Sequence, residues 1–234
     1  VTALSESAPT LVLDASTSNG TVALFAGGRL LGAQGVTMGA GKEDQLFPTL
    51  QHMLGLSGVY PRDVGAIVCG EGPGGFTSLR IAAALAKGLA HGAGCPLYAV
   101  PSLLLAAASL PDVPAGEYVV HAEALRGERY VLPVRRYEGG FWRPAGAAVR
   151  MAAAMLESAV PAGQRLAVLS SPFAEDRALC MPAAECLPAA RGEWRDRPIE
   201  LNGWEPLYGR LAEAQVKWEE RYGISLPDAP VVRS

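Results

Sequence analysis

A glycine-rich loop joining a short apolar strand to a helix with almost no polar face constrains this chain most. Residues 64–69 read as a buried strand, and the stretch GEGPGG follows at 70–75. Gly72, Pro73, Gly74 and Gly75 bar regular structure there. From 77 to 91 the sequence becomes a strong helix former, and between 79 and 90 its only polar side chains are Arg80 and Lys87. A helix that is apolar on every side must be covered on every side. One face can lie on a sheet; the other needs a second helix or another chain. The small residues Ala82, Ala83, Ala84, Ala86 and Gly88 would let such a neighbour come close. A helix predicted over 43–56, with Leu46, Leu50, Met53 and Leu54 at helical spacing, can supply part of the cover, provided Pro48 sits in its first turn or marks a kink. A fully internal helix and an interface stand level on these residues. A glycine turn at a helix start can also hold phosphate.

The remaining composition narrows the classes. Apolar residues make up 50% of the 234 and charged residues 18%, against a usual charged share of about 25%, which argues for a well-filled core or a buried interface and against disorder. With a net charge of −3 and a pI near 5.7, no global basic field draws the chain to nucleic acid or anionic lipid, although local arginine clusters stay open. Arg80, Lys87 and His91 interrupt the longest apolar run, so no membrane span is expected. The opening VTALSESAPT lacks the pattern of a signal peptide and reads as a frayed tail, which points to the cytoplasm. The four cysteines form no CxxC pair and read as buried reduced thiols.

Strands are predicted at 11–14, 20–26 and 29–36, with a hairpin at Gly27–Gly28, then the helix over 43–56, the strand at 64–69, the helix over 77–91 and a strand at 97–100. The order is βββαβαβ. It recurs with strands at 118–121 and 127–136, a hairpin at Gly139–Gly140 before a strand at 141–143, a helix over 152–159 and a strand at 166–169. Asp14 to Gly20 and His121 to Gly127 span the same interval between the first two strands of each half. These readings divide the chain into a tail at 1–9, a first lobe at 10–109, a linker at 110–116, a second lobe at 117–206, a C-terminal segment and charged amphipathic helix at 207–222 able to return to the first lobe, and a tail at 223–234. Two such lobes give an α/β fold of the actin-like, Hsp70-ATPase-like (ASKHA) kind with a cleft between them.

In that architecture the turn after the first strand of each lobe faces a nucleotide. The first turn offers Asp14, Ser16, Thr17 and Ser18, a carboxylate and three hydroxyls, as a surface for phosphate or magnesium. The second, HAEALRG at 121–127, has no Asp at the matching place and no hydroxyl, so half the equipment of a phosphotransferase is missing. The three histidines, His52, His91 and His121, form no i, i+4 pair, and no Cys/His cluster appears, so no metal and no cofactor are expected. G-x-S-x-G is absent, and Thr77 and Ser78 read as helix-start hydroxyls. The GPGG loop lacks the Gly-Lys-Ser/Thr of a P-loop and does not match G-x-G-x-x-G.

Three stretches resemble the TsaB (YeaZ) family. LVLDASTSNGTVAL at 11–24 is similar to its opening strand and turn, GPGGFTSLR at 72–80 to its GPGSFTGLRIG, and EPLYGR at 205–210 to its EPxYxR. EALRGERY at 123–130 stands where the family tends to have DARxGEVY, and Lys42 where relatives often have His. Gly75 and Ser78 replace Ser and Gly of the central motif, and Glu123 and Leu125 replace Asp and Arg. The resemblance implies a subunit without catalytic residues. It would pair with TsaD, be joined by the ATPase TsaE in an ATP-dependent ternary complex, and meet tRNA only through that complex. TsaD would transfer the threonylcarbamoyl group to the adenosine beside the anticodon; its HxxxH metal pair has no counterpart here. The contact would come from the two first-lobe helices, through Leu46, Phe47, Leu50, Thr77, Arg80, Ile81, Ala84, Leu85 and Gly88. Alone, the same surface would close a homodimer. The rival readings are an ATP-binding phosphotransferase, motivated by Asp14 to Ser18, and a glycoprotease-like peptidase, for which no nucleophile–base pair is evident. Direct tRNA binding is weighed down by the acidic charge.

Overall fold

The computed structural model describes residues 8–38, 45–124, 127–168, 176–208 and 221–223. Lys42, Leu125, Arg126, Arg210, the first two residues of the helix expected over 43–56, the last of the strand expected at 166–169 and nearly all of the helix expected over 211–222 lie outside them. The first sheet contains β1 (Thr10–Asp14), β2 (Asn19–Ala26) and β3 (Arg29–Thr37). Helix α1 (Leu46–Ser57), β4 (Ala66–Gly70), α2 (Phe76–Ala93), β5 (Leu97–Val100) and α3 (Ser102–Ala108) follow. The second half has β6 (Gly116–Glu123), β7 (Glu128–Arg136), β8 (Trp142–Pro144), β9 (Val149–Ala152), α4 (Ala153–Ala159), β10 (Arg165–Val168) and β11 (Ala178–Cys180). The strand orders are β3-β2-β1-β4-β5 and β11-β10-β6-β7-β8, with β9 beside β7. In each sheet the first two strands pair antiparallel, while the second partner of the central strand (β4 on β1, β10 on β6) runs parallel. The two-lobed, actin-like α/β arrangement expected from the sequence is therefore the one observed.

Alternation along β1 explains the layering, because successive side chains point to opposite faces. Leu11 and Leu13 join Val22, Leu24 and Ile67 beneath α1 and α2. Val12 faces the other way, with Val68 and Val100, into a second core shared with Val120, Leu132, Val134 and Trp142 of the other sheet. Between the two sheets lies α3, every residue of which is buried. Fully burying Leu103, Leu104 and Leu105 contributes about 2 kcal/mol apiece. The sequence reading passed from β5 straight to the linker and missed this helix. Apolar throughout after Ser102 and only seven residues long, it has no periodicity to detect.

Gly27 and Gly28 take φ of 58° and 71°, the left-handed pair that a two-residue hairpin requires. Pro48 stands in the first turn of α1, where its missing N–H costs nothing. Several expected boundaries shift by one or two residues, and β9 and β11 were not expected; one of the shifts bears on the second turn. β6 does not end at His121; its ladder continues through Ala122 and Glu123, which pairs with Arg129. The turn is closed by the Ala124 N–H donating to the Glu128 carbonyl at 3.0 Å. Glu123 thus ends β6 as Asp14 ends β1, but alternation places it with His121 on the face turned away from Val120, whereas Asp14 shares the face of Val12. Among the described residues, no helix is long and apolar enough to cross a membrane.

Candidate functional site

Strand β1 delivers Asp14 to the end of its sheet with no exposed surface. Its Oδ1 accepts from the Ser16 N–H at 2.9 Å and the Ser16 hydroxyl at 2.7 Å. Its Oδ2 accepts from the Ser102 hydroxyl at 2.5 Å, and Ser102 Oγ in turn accepts from the Gly72 N–H at 2.9 Å. Burial raises the Asp14 pKa from its ordinary value, while these hydrogen bonds pull it down. Ser102, the first residue of the missed helix α3, was not among the residues singled out; Pro101 just before an apolar run was the available signal.

The glycine loop lies directly on this turn. The Gly75 N–H donates to the Ser16 carbonyl at 3.0 Å. A Cβ at Gly74 would strike that carbonyl and stand 2.6 Å from Ser16 Cα, and one at Gly70 would strike Asp14 Oδ2. Only hydrogen at these positions permits the contact. The expected phosphate surface is accordingly corrected. Asp14 and Ser16 are buried and bonded to the chain itself. Thr17 Oγ1 donates to the Asn19 carbonyl at 2.9 Å, and Ser18 points to solvent, so the hydroxyls do not converge on one anion.

The C-terminal segment closes the other side. The Leu207 N–H donates to the Glu71 carbonyl at 2.7 Å, and the Tyr208 ring lies 4.7 Å from that of Phe76 at the start of α2. Tyr208 donates its hydroxyl to Glu205 Oε2 at 2.5 Å, and burial followed by that carboxylate pushes the phenol up. Gly72 adopts φ 95°, and a Cβ there would stand 2.5 Å from the Leu207 carbonyl oxygen. Burial pushes the Glu71 carboxyl up to about 7. The opening turn, the glycine loop and the described part of EPLYGR thus meet at one place in space.

From that junction α2 runs outward with two unlike faces. Leu79, Ala82, Ala83, Ala86 and Ala90 are buried on the sheet side. Thr77, Arg80, Ala84, Gly88 and His91 are exposed along the opposite stripe, flanked by half-buried Ile81 and Leu85. A Cβ at Gly88 or Gly92 would meet nothing within 4 Å. Arg80 extends over the Phe76 ring at 5.4 Å, and Lys87 over the Trp204 ring at 5.7 Å. On α1 the expectation needs correction: Leu46 and Leu50 are 0% and 1% exposed and belong to the core, whereas Phe47 is 48% exposed. Leu46 and Leu50 share the helix face that packs with Met53 and Leu54, and Phe47 lies off that face.

Elsewhere, His121 Nε2 lies 3.1 Å from Asp176 Oδ2, and Arg165 Nε donates to Asp176 Oδ1 at 2.6 Å. Arg165 also donates to the Glu157 and Val160 carbonyls, tying β10 to the end of α4. Burial lowers the His121 pKa, with Asp176 opposing. This buried cluster was not anticipated, because Asp176 follows His121 by 55 positions. The other two histidines, His52 and His91, are exposed. All four cysteines are free; Cys69 and Cys180 are buried, Cys95 and Cys186 half-buried. Burial holds Cys180 at about 12 and so keeps it a thiol at neutral pH. Among the described residues, no group of three potential metal ligands occurs.

Residues 41–184 match the family model for TsaD, described as tRNA N6-adenosine threonylcarbamoyltransferase. An uncharacterized protein of Mycobacterium tuberculosis H37Rv is 34% identical over 179 residues, 74% of this chain and 76% of that protein. The tRNA threonylcarbamoyladenosine biosynthesis protein TsaB of Escherichia coli K12 is 34% identical over 99 residues, 42% of this chain and 43% of that protein. This chain belongs to the TsaB (YeaZ) family. TsaB-family proteins serve in tRNA threonylcarbamoyladenosine biosynthesis. The aligned stretch spans less than half of the E. coli TsaB. The likeness in three dimensions is wider: YeaZ from Pseudomonas aeruginosa superposes with a TM-score of 0.70 at 28% identity, covering 86% of this chain and 99% of that one.

Proposed function

We propose that this chain is a cytoplasmic, non-catalytic subunit that pairs with TsaD, is joined by TsaE in an ATP-dependent complex, and holds TsaD competent to transfer threonylcarbamoyl to the adenosine beside the tRNA anticodon. The observation that carries this reading is the sealed first-lobe turn. Its carboxylate is engaged by Ser16 and Ser102 and covered by the chain's own glycine loop. A phosphotransferase would need that turn open to phosphate and metal. The exposed stripe of α2, with Ala84 and Gly88 at its centre, supports the partner half of the reading, since small residues let a second helix approach. Phe47 on α1 would lie at its margin.

Co-purification with TsaD tests this. Ala84→Glu places a carboxylate on the open stripe without touching the core, so the variant should fold and lose at least about tenfold in TsaD affinity. Undiminished binding by a folded variant would sink the interface. Calorimetry of the isolated chain with Mg-ATP should show no binding; micromolar binding abolished by Asp14→Ala would return the phosphotransferase to first place.

A further inference from the structure

The acidic net charge of the chain conceals a compact basic face on the second lobe. Antiparallel pairing sets Arg135 of β7 directly opposite Arg143 of β8, and both are exposed on the outer side of the sheet. The rings of Tyr137 and Phe141, which flank the connecting turn, stack 4.7 Å apart at 9°. Arg135 lies over Tyr137 at 5.4 Å, and Arg143 over Tyr137 and Phe141 at 6.0 and 5.7 Å. Arg191, held by its backbone N–H on the Trp142 carbonyl at 2.8 Å, covers Phe141 at 4.5 Å. Three guanidinium groups are thus gathered on two rings. None of the three takes part in an ion pair among the described residues. The carboxylates nearest in sequence and register, Glu138 in the turn and Glu117 across from Arg135, are not paired with them.

Holding the arginines on aromatic faces fixes their long side chains before any ligand arrives, which lowers the entropy cost of binding. Three like charges so close repel one another, and a line of phosphates relieves that repulsion while accepting bidentate hydrogen bonds. The flat guanidinium–ring stack offers in addition a surface on which an unpaired base can lie. A carboxylate-bearing protein would use the charge but not the planes.

We propose that the outer face of the β7–β8 hairpin is a contact for the RNA sugar–phosphate backbone, with Arg135, Arg143 and Arg191 as its phosphate-binding residues. This goes beyond the scaffold reading, in which tRNA is met only through the complex. The family's place in tRNA modification makes tRNA the RNA to test.

Fluorescence anisotropy of a labelled tRNA transcript with the full chain, at about 50 mM salt, should show binding within the non-specific range of about 1–100 µM, weakening steeply as salt rises. Arg143→Glu combined with Arg191→Glu should reduce affinity at least about tenfold and flatten the logarithmic salt slope by about 1 to 2. The paired Lys replacements should keep most of that slope and lose only part of the affinity. Circular dichroism would check that the variants remain folded, as expected of exposed positions. No binding at about 100 µM, equal binding by the Glu double variant, or displacement of the tRNA by polyglutamate at equal charge would each overturn the proposal, the last in favour of an acidic protein partner. Ala84→Glu should leave RNA binding intact, and the arginine variants should leave TsaD binding intact, so failure of either reading is separable from failure of the other.

Discussion

Asp14 and Glu123 end the first strands of two hairpins but face opposite ways. Each is the last residue of the first strand of its lobe, paired across the hairpin with Thr21 or Arg129. Asp14 has no exposed surface and accepts hydrogen bonds from Ser16 and Ser102; Glu123 is exposed. The chemistry of the two side chains is nearly the same, so the difference comes from direction and cover: Asp14 faces α3 and the core between the sheets, as Val12 does, and Glu123 faces away from it, as His121 does. In the first lobe the loop at 71–75, with three glycines and one proline and with α3 behind it, closes over the turn. The buried carboxylate of this turn is thus held by the chain's own hydroxyls.

The sharpest way to break this contrast is Asp14→Ala. The substitution leaves the Ser16 N–H, the Ser16 hydroxyl and the Ser102 hydroxyl buried without their acceptor. Relief of the buried carboxyl offsets part of that loss, and we expect destabilisation of about 3 kcal/mol, a melting temperature lower by roughly 6–12 °C. Chemical denaturation would measure it. A cost under about 1 kcal/mol would mean that the turn is not held together by its acid.

Glu71 tests the cover itself. Its carboxyl is pushed up to about 7 from an ordinary 4.5 because burial opposes its charge. The folded state thus holds this proton more tightly than the unfolded chain. The stability that this proton supplies is complete below about pH 4.5, falls as pH rises through 7, and is absent above. With some solvent contact remaining, the loss is on the order of 2 kcal/mol. Glu71→Gln should remove this dependence and make the protein more stable than wild type at pH 8, by the difference between the two denaturation profiles. Parallel profiles would show that the loop does not enclose Glu71 as tightly as its contacts with Val100 and Leu207 imply.

Much of the architecture was legible because it repeats local signals. β1, β4 and β5 followed from short apolar runs, β2 from alternation, β3 from the glycine hairpin before it, and α2 from its glycine start and apolar run. Thr77, Arg80, Ala84 and Gly88 fall on one exposed stripe of α2, but the residues alone left a fully internal helix and an interface level. What escaped is non-local. Ser102 closes on Asp14 across 88 positions, and no periodicity records that meeting. Leu46 and Leu50 show the opposite failure: residues suited equally to a core and to an interface are divided only by the sheet beneath them. The Arg135, Arg143 and Arg191 face was hidden in a net charge of −3, which averages over distances far beyond the reach of a single phosphate.

The smallest expected effect completes the comparison. Glu123→Ala removes an exposed side chain from a hairpin end and should change stability by less than about 1 kcal/mol. Measured beside Asp14→Ala in the same denaturant series, it compares an acid that faces the shared core with one that ends the matching strand but faces outward. A large loss at Glu123 would mean that the second hairpin is held by its acid as well. The two lobes would then differ in side-chain exposure without differing in how their turns are built, and the sealing of the first lobe could no longer be credited to its glycine loop. A small loss leaves the inward direction of Asp14, with the glycine loop and the Ser102 hydroxyl that enclose it, as the cause.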